Sequence, residues 1–285
     1  MFRALLGIHL AVLLFGISGL FGKLISVSPV VIVFGRTLVA SFTLGLYKIK
    51  EEGFSYFYLK RKTLVHFILL GVLLAFHWLS FFYSIQISTV AVGLLAFSTF
   101  PIFVLILEPF LFQEKISYFE LVCGVIVFLG LCFVVPTFDI KNNLFQGTAV
   151  GILSSLSFAA IAILNRLFVC SFSAIKVAFF QNAFAAVTLL PLVLLLKPTI
   201  SYKDGLLILL LGIFCTAVAH TLFVNSLRKI PARTASIIAS LEPVYAIVFA
   251  YFLLGENPSD RIIVGAIIIL STTLLLTYRS SLQTS

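Results

Sequence analysis

Residues 98–117 read STFPIFVLILEPFLFQEKIS, and residues 240–259 read SLEPVYAIVFAYFLLGENPS. The second stretch repeats the first at an offset of 142 residues, which is about half of the 285-residue chain. The same offset superimposes further residues on both sides of this stretch: Phe81 on Phe223, Ser84 on Ser226, Ser98 on Ser240, Pro101 on Pro243, Leu111 on Leu253, Glu114 on Glu256, Ser117 on Ser259 and Val122 on Val264. Apolar composition alone does not align a Pro, a Glu and three Ser. The sequence therefore predicts two related halves.

The composition excludes a soluble globule. Hydrophobic residues make up 61% of the chain and charged residues 10%, and the mean hydropathy is +1.21. So few polar side chains do not cover the surface of a water-soluble core. In a membrane protein the net charge of +9 reports the topology of the loops rather than nucleic-acid binding.

Ten segments have the length and apolar character that a membrane span of roughly 20 residues requires. We predict helices near residues 5–24, 30–47, 64–84, 89–111, 117–135, 147–166, 174–196, 204–227, 232–254 and 260–278. Each half, residues 1–138 and residues 139–285, then holds five spans. Because five is odd, the second half must insert upside down. The predicted fold is an all-α polytopic membrane protein of ten transmembrane helices, arranged as two inverted five-helix repeats in one transmembrane unit.

The basic residues predict which side each loop faces. Twelve of the 19 Lys and Arg fall on the side of the N-terminus and five on the other side, and Arg36 and Lys176 lie in or at the edge of helices. By the positive-inside rule both termini are cytoplasmic, in a multi-pass protein of the inner (plasma) membrane. We expect the first helix to be retained, because Lys23 and Pro29 make a poor site for signal-peptide cleavage.

Charged side chains inside spans are the first candidates for function, because each costs roughly 2.5–3.5 kcal/mol at the centre of a bilayer. Arg36, in the second span, either faces a cavity or extends to the headgroups as a snorkelling side chain. Glu242 precedes Pro243 in the ninth span, where the proline frees a backbone carbonyl. We expect Glu242 to bind substrate and to exchange a proton during transport, with a purely structural pairing to Arg36 as the alternative.

Neutral polar and aromatic residues supply the rest of the predicted lining. Trp78 falls on His220 at the 142-residue offset, which predicts that the two face each other, and His77 precedes Trp78. A buried histidine that only supports packing is the alternative for each. The remaining candidates for substrate binding are polar or aromatic residues of spans three, seven, eight and nine: Tyr83, Gln181, Asn182, Asn225 and Tyr245.

The motifs that carry enzymatic chemistry are absent from the sequence. No nucleophile elbow, zinc-protease HExxH or phosphate-binding loop occurs, and we expect no cofactor and no metal. Cys123, Cys132, Cys170 and Cys215 have no metal-ligand spacing and are expected to pack as small apolar residues. Glu114 and Glu256 close helices, and we expect them to bond backbone donors at the next helix start.

The motifs resemble those of a known family. Phe15-Gly16, Phe34-Gly35-Arg36, Leu241-Glu242-Pro243 and Leu254-Gly255-Glu256 are similar to the EamA branch of the drug/metabolite transporter superfamily, over residues 4 to 278. The first half departs from the pattern, with Phe112-Gln113-Glu114 where a Gly-Glu is usual. The resemblance implies ten helices around a central cavity and the export or exchange of small metabolites such as amino acids.

The leading hypothesis is a secondary transporter of small metabolites that works by alternating access. Its expected partners are a small-molecule substrate, the lipid bilayer and a proton or counter-substrate, and nucleic acid is not among them. The alternative is an intramembrane enzyme that uses His77, His220 and Glu242 on a lipid-like substrate. A scaffold or receptor subunit is a third reading, which leaves the buried Glu242 unexplained.

Overall fold

The computed structural model describes residues 2–112, 118–134, 139–230, 232–239 and 241–283. Glu114 and the predicted boundary between the halves at residue 138 lie outside these ranges. The regular elements of the described residues are all helical. The first half contains α1 (Phe2–Leu24), α2 (Pro29–Glu52), α3 (Arg61–Ile87), α4 (Val90–Phe97), α5 (Phe100–Phe112) and α6 (Tyr118–Val134), with a 3-10 turn at Phe54–Phe57. The second half contains α7 (Asn143–Val169), α8 (Ala174–Leu196), α9 (Tyr202–Gly212), a π-helical segment at Ile213–Val218, α10 (Ala219–Ser226), α11 (Ala232–Ala239), α12 (Glu242–Leu254) and α13 (Asp260–Gln283).

The described helices are those of a membrane-spanning chain. Seven of the helical segments are long and apolar enough to cross a bilayer, and two shorter apolar helices, Val122–Val134 and Glu242–Leu254, accompany them. Each of the ten predicted spans overlaps described helical residues. The count of ten transmembrane helices stays a prediction.

Three of the predicted spans are interrupted. The fourth divides between α4 and α5 at Ser98 and Thr99, and the ninth divides between α11 and α12. The breaks fall at repeat-related positions because Pro101 and Pro243 each sit at the start of the helix that follows, where a missing N–H is tolerated. The eighth span passes through the π-helical segment between α9 and α10.

Different loops lie at the two ends of the helix bundle. At what we call the Glu256 end, the Glu256 carboxylate accepts from the backbone N–H of Val90 at 3.1 Å, and Asp204 Oδ1 accepts from the N–H of Ser26 at 3.0 Å. At the Tyr56 end, the Tyr56 hydroxyl lies 3.0 Å from Ser173 Oγ. Glu256 therefore bonds the start of α4 in the other half rather than the start of the next helix, which corrects the expectation from sequence.

The two halves run in opposite directions, and repeat-related helices make corresponding contacts with the other half. α1 ends at the Glu256 end, whereas α7 begins near this end and finishes at the Tyr56 end. Where α3 packs on α7, α10 packs on α1, and where α5 packs on α7, α12 packs on α1. The contacts of α2 with α8 and of α6 with α13 join equivalent helices of the two halves.

Glycines allow the closest crossings. A Cβ atom at Gly151 in α7 would lie 2.6 Å from Ala96 Cβ of α4, and one at Gly147 would lie 2.5 Å from Ser88 Cβ. The Ser84 hydroxyl of α3 donates to the Gly147 carbonyl at 2.6 Å. Gly147 and Gly151 thus form the small-residue face on which α3 and α4 pack.

Candidate substrate cavity

A buried cavity lies at the centre of the bundle, where helices of both halves meet. Its volume is about 30 Å³, below the roughly 300–1,000 Å³ that is usual for small-molecule sites, so the cavity is narrow in this structure. Its walls come from α1, α2, α3, α4, α7, α10 and α12. The lining residues are Phe15, Ser18, Arg36, Leu74, His77, Trp78, Phe81, Phe97, Phe158, His220 and Glu242.

Arg36 of α2 points into this cavity rather than toward the headgroups. Its side chain is 1% exposed. Nε donates to Thr216 Oγ1 at 2.9 Å, Nη1 donates to Ser18 Oγ at 3.3 Å, and Nη2 donates to the Cys215 carbonyl at 3.1 Å. The guanidinium carbon lies 4.0 Å from the centroid of the Trp78 ring, a cation–π contact. Among the described residues, these contacts fix the guanidinium and leave one N–H on each terminal nitrogen for another acceptor.

The π-helical segment provides two of the three acceptors for Arg36. The Thr216 hydroxyl donates to the Leu211 carbonyl five residues earlier, at 2.8 Å, and accepts from Arg36 Nε. Gly212 precedes the segment, and a Cβ there would lie 2.6 Å from Val39 Cβ on α2. The wide turn and the missing side chain together bring the backbone of this segment up to the guanidinium.

Glu242 begins α12 at the interruption of the ninth span. Its side chain is 4% exposed and lines the cavity, and a carboxylate at a helix N-terminus is favoured by the helix dipole. Among the described residues the ion pairs within 4.0 Å join Lys48 to Glu51 and to Glu52. Arg36 and Glu242 therefore face one cavity without pairing directly.

The two histidines are held from behind by helices of the second half. His77 Nδ1 lies 3.1 Å from the Ser154 carbonyl and 2.9 Å from Ser154 Oγ on α7. His220 Nδ1 lies 3.3 Å from Asn182 Nδ2 on α8. Trp78 and His220, which the repeat offset superimposes, are in edge-to-face contact with ring centroids 5.9 Å apart.

Gln181 and Asn182 lie behind the cavity wall. Gln181 donates to the Asn165 amide oxygen, and Asn182 donates to the Ala178 carbonyl at 2.7 Å. Both side chains are fully buried. Asn182 reaches the cavity through His220, whereas Gln181 belongs to a separate polar contact with α7.

Three further predicted site residues do not line the cavity. Tyr83 is 47% exposed, and Asn225 is also exposed, so both face the outside of the helix bundle. Tyr245 is half-buried, and its Cβ would be 2.9 Å from a Cβ built at Gly16. It packs against α1 next to the cavity instead of lining it.

Sequence reasoning missed several lining residues. It did not identify Ser18, which lines the cavity, or Thr216, which accepts from Arg36, because a single hydroxyl in an apolar helix often bonds its own backbone and is a weak signal. The aromatic residues Phe81, Phe97 and Phe158 were hidden among the 31 phenylalanines of the chain. The sequence did hold a signal for Phe97, because this residue directly precedes Ser98 to Pro101, one of the two helix breaks that the repeat shares.

Within the part of the chain that the structure describes, no group of three or more His, Cys, Asp or Glu is placed to hold a metal ion. The cavity is lined by one basic side chain, one acidic side chain, two imidazole rings and several aromatic rings. Such a set can bind a ligand by its charged ends and its flat apolar surface.

Known proteins resemble this chain in sequence and fold. The EamA-like transporter family matches it twice, over residues 2–135 and 146–278. An S-adenosylmethionine uptake transporter of Rickettsia conorii is 30% identical over 211 residues, which are 74% of this chain and 71% of that protein. An uncharacterized transporter of Bacillus subtilis (strain 168) is 23% identical over 270 residues, which are 93% of this chain and 86% of that protein. A crystal structure at 16% identity has the same fold, with a TM-score of 0.70 over 99% of both chains.

The two family matches together span nearly the whole chain, and they fall on its two halves. The family and the names of the relatives indicate a transporter rather than an enzyme. The chain belongs to the EamA-like transporter family of the drug/metabolite transporter superfamily, and it is a multi-pass membrane transporter.

Proposed function

We propose that this chain is a secondary transporter of zwitterionic metabolites, amino acids or compounds built on them, which bind in the central cavity. The observation that carries the proposal is that Arg36 and Glu242 face the same buried cavity without an ion pair. Two buried opposite charges that do not satisfy each other fit a ligand with a charge of each sign.

Arg36 binds the carboxylate of the substrate. Its two remaining N–H groups, one on each terminal nitrogen, match the two oxygens of a carboxylate. Glu242 binds the ammonium group or another cationic centre and exchanges a proton as the binding state changes. Trp78 and the phenylalanines pack on the apolar part of the substrate. Tyr83 and Asn225 have no part in this proposal, because their exposed side chains face away from the cavity.

The transport step is alternating access between two inverted halves, residues 1–138 and 139–285. The opposite directions of α1 and α7 and the exchanged helix contacts support this arrangement. The breaks between α4 and α5 and between α11 and α12 supply places where each half can bend next to the cavity. We place both termini in the cytoplasm of a plasma-membrane protein, from the distribution of Lys and Arg.

The relatives narrow the substrate class. The Rickettsia relatives are named S-adenosylmethionine uptake transporters. S-adenosylmethionine carries a carboxylate, an ammonium group and a flat ring, which fits the charges and aromatic walls of this cavity. We therefore propose methionine-type zwitterions, with or without a nucleoside attached, as the first substrates to test.

The test is uptake by the purified protein in sealed proteoliposomes, with methionine and S-adenosylmethionine as labelled substrates. Methioninamide, which lacks the carboxylate, and 4-(methylthio)butanoate, which lacks the ammonium group, serve as competitors. We expect the zwitterions to be taken up and both singly charged analogues to compete poorly. Competition by either analogue as strong as that by methionine would contradict the assignment of the matching charge.

A further inference from the structure

The hydrogen bonds of His220 fix the position of its single proton. Asn182 Nδ2 lies 2.7 Å from the Ala178 carbonyl, so this corner of the amide must be the nitrogen, because an oxygen there would face another oxygen. The same nitrogen lies 3.3 Å from His220 Nδ1. His220 Nδ1 therefore accepts, the ring is neutral, and its proton is on Nε2.

The partner of His220 Nε2–H is missing within the described part of the chain. The atom is buried and has no hydrogen-bond partner there. A buried donor without an acceptor is rare and costly, and His220 lines the cavity. The donor is thus available to an acceptor on the substrate.

His77 has the opposite arrangement. Its Nδ1 is 3.1 Å from the carbonyl of Ser154, which only accepts, so the proton of the imidazole is on Nδ1. The Ser154 hydroxyl donates to the His77 carbonyl at 3.0 Å and accepts from the same Nδ1. In the neutral ring Nε2 is then a lone pair, which accepts a hydrogen bond. The two imidazoles of one cavity therefore offer one donor and one acceptor.

Flat rings surround this pair. The His77 ring lies 4.9 Å from the Phe158 ring and 5.4 Å from the Phe97 ring, and the His220 ring contacts Trp78. A planar ligand stacks on such walls without a requirement for its own hydrogen bonds. Its edge, however, must match the donor and the acceptor of the two histidines.

We propose that the cavity selects substrates that carry a planar nitrogen heterocycle with an amino group beside a ring nitrogen, as on the N6–N7 edge of a 6-aminopurine. The ring nitrogen accepts from His220 Nε2–H, and the amino group donates to His77 Nε2. His77 and His220 are then specificity-determining residues, and Asn182 and Ser154 are positioning residues that hold their protons in place. This inference rests on the proposed function, because the zwitterionic end of the same substrate occupies Arg36 and Glu242.

The experiment compares three probes that share the zwitterion. S-adenosylhomocysteine has the amino edge, S-inosylhomocysteine has an oxygen in place of the amino group, and methionine has no ring. Equilibrium binding to the purified full-length protein is measured for each by calorimetry. We expect S-adenosylhomocysteine to bind roughly 5- to 100-fold more tightly than S-inosylhomocysteine, because the inosyl oxygen faces the lone pair of His77.

Variants assign the effect to the two rings. H77F keeps an aromatic ring against Phe158 and Phe97 but has no acceptor, so the preference for the adenosyl probe should disappear. H220F should weaken both nucleoside probes by a similar factor, because both keep the ring nitrogen. H220Q, whose amide supplies a donor near the position of Nε2, should restore much of this loss. The affinity for methionine is measured for each variant as well, and the ratio of the nucleoside affinity to the methionine affinity gives the contribution of each imidazole.

The outcomes separate the inference from the proposed function. Equal affinity of the wild-type protein for the adenosyl and inosyl probes, with methionine bound, would overturn the inference and leave the proposed function intact. This comparison needs no variant to fold. Failure of the wild-type protein to bind any of the three probes would overturn the proposed function, and the inference with it.

Discussion

Removal of the Arg36 charge gives the sharpest prediction about substrate binding. In R36Q an amide replaces the guanidinium, and it can still bond Thr216 Oγ1 or the Cys215 carbonyl, which accept from Arg36 in the wild-type protein. The variant therefore loses the positive charge and the paired terminal N–H groups with less disturbance to the π-helical segment than R36A.

The magnitude follows from the two free N–H groups. Each charge-assisted hydrogen bond to a carboxylate contributes about 1.5 kcal/mol or more, so the pair contributes about 3 kcal/mol, which is about 100-fold in affinity. Methioninamide has no carboxylate and gains nothing from this pair. The wild-type protein should therefore prefer methionine to methioninamide by about 100-fold, and R36Q should bind the two with similar affinity.

The assay is calorimetry on wild-type protein, R36Q and S18A in the same detergent. S18A is the matched control, because it removes one acceptor, 3.3 Å from Arg36 Nη1, and keeps the charge. We expect S18A to keep most of the preference for methionine. If R36Q weakens methionine and methioninamide by the same factor, Arg36 does not bind the carboxylate and acts only in folding or cavity shape.

Two further predictions concern coupling and packing. E242Q should abolish proton-coupled uptake into proteoliposomes while expression and thermal stability stay close to wild type, because the amide exchanges no proton; wild-type rate and pH dependence in this variant would refute the coupling role. G151A should lower the unfolding temperature in detergent, since its Cβ would lie 2.6 Å from that of Ala96, a clash that costs about 1–3 kcal/mol. G205A is the control, because a Cβ there meets nothing within 4 Å, and the helix interior should gain about 0.5–1 kcal/mol. Equal melting temperatures for G151A and G205A would contradict the packing role of Gly151.

Much of the fold was accessible from sequence because the bilayer imposes simple rules. A span needs about 20 apolar residues, and an intramembrane charge must face the interior. These rules predicted the helical fold and pointed to Arg36 and Glu242, which line the cavity in the structure. The repeat offset superimposed Trp78 on His220, and their rings are in contact. Whether these residues bind substrate stays a proposal.

The sequence patterns did not predict the helix breaks or which face of a helix each side chain occupies. The spans at 89–111 and 232–254 were predicted as continuous helices, although Pro101 and Pro243 both begin new ones. Asn225 is exposed on the outer face of α10. Tyr83, its counterpart in the first half, is exposed as well. Hydropathy alone does not separate such faces when the surrounding lipid and the core are equally apolar.

The central claim is that two inverted halves open the same cavity alternately to the two sides of the membrane. Leu74 lines the cavity without a polar role, so L74C in a background without the four native cysteines is the reporter. Its reaction with a membrane-impermeant maleimide is measured from each side of oriented vesicles, with and without a saturating methionine-type substrate. We expect labelling from both sides, with the ratio of the two rates shifted by substrate. Labelling from one side only, at a rate that substrate leaves unchanged, would contradict it.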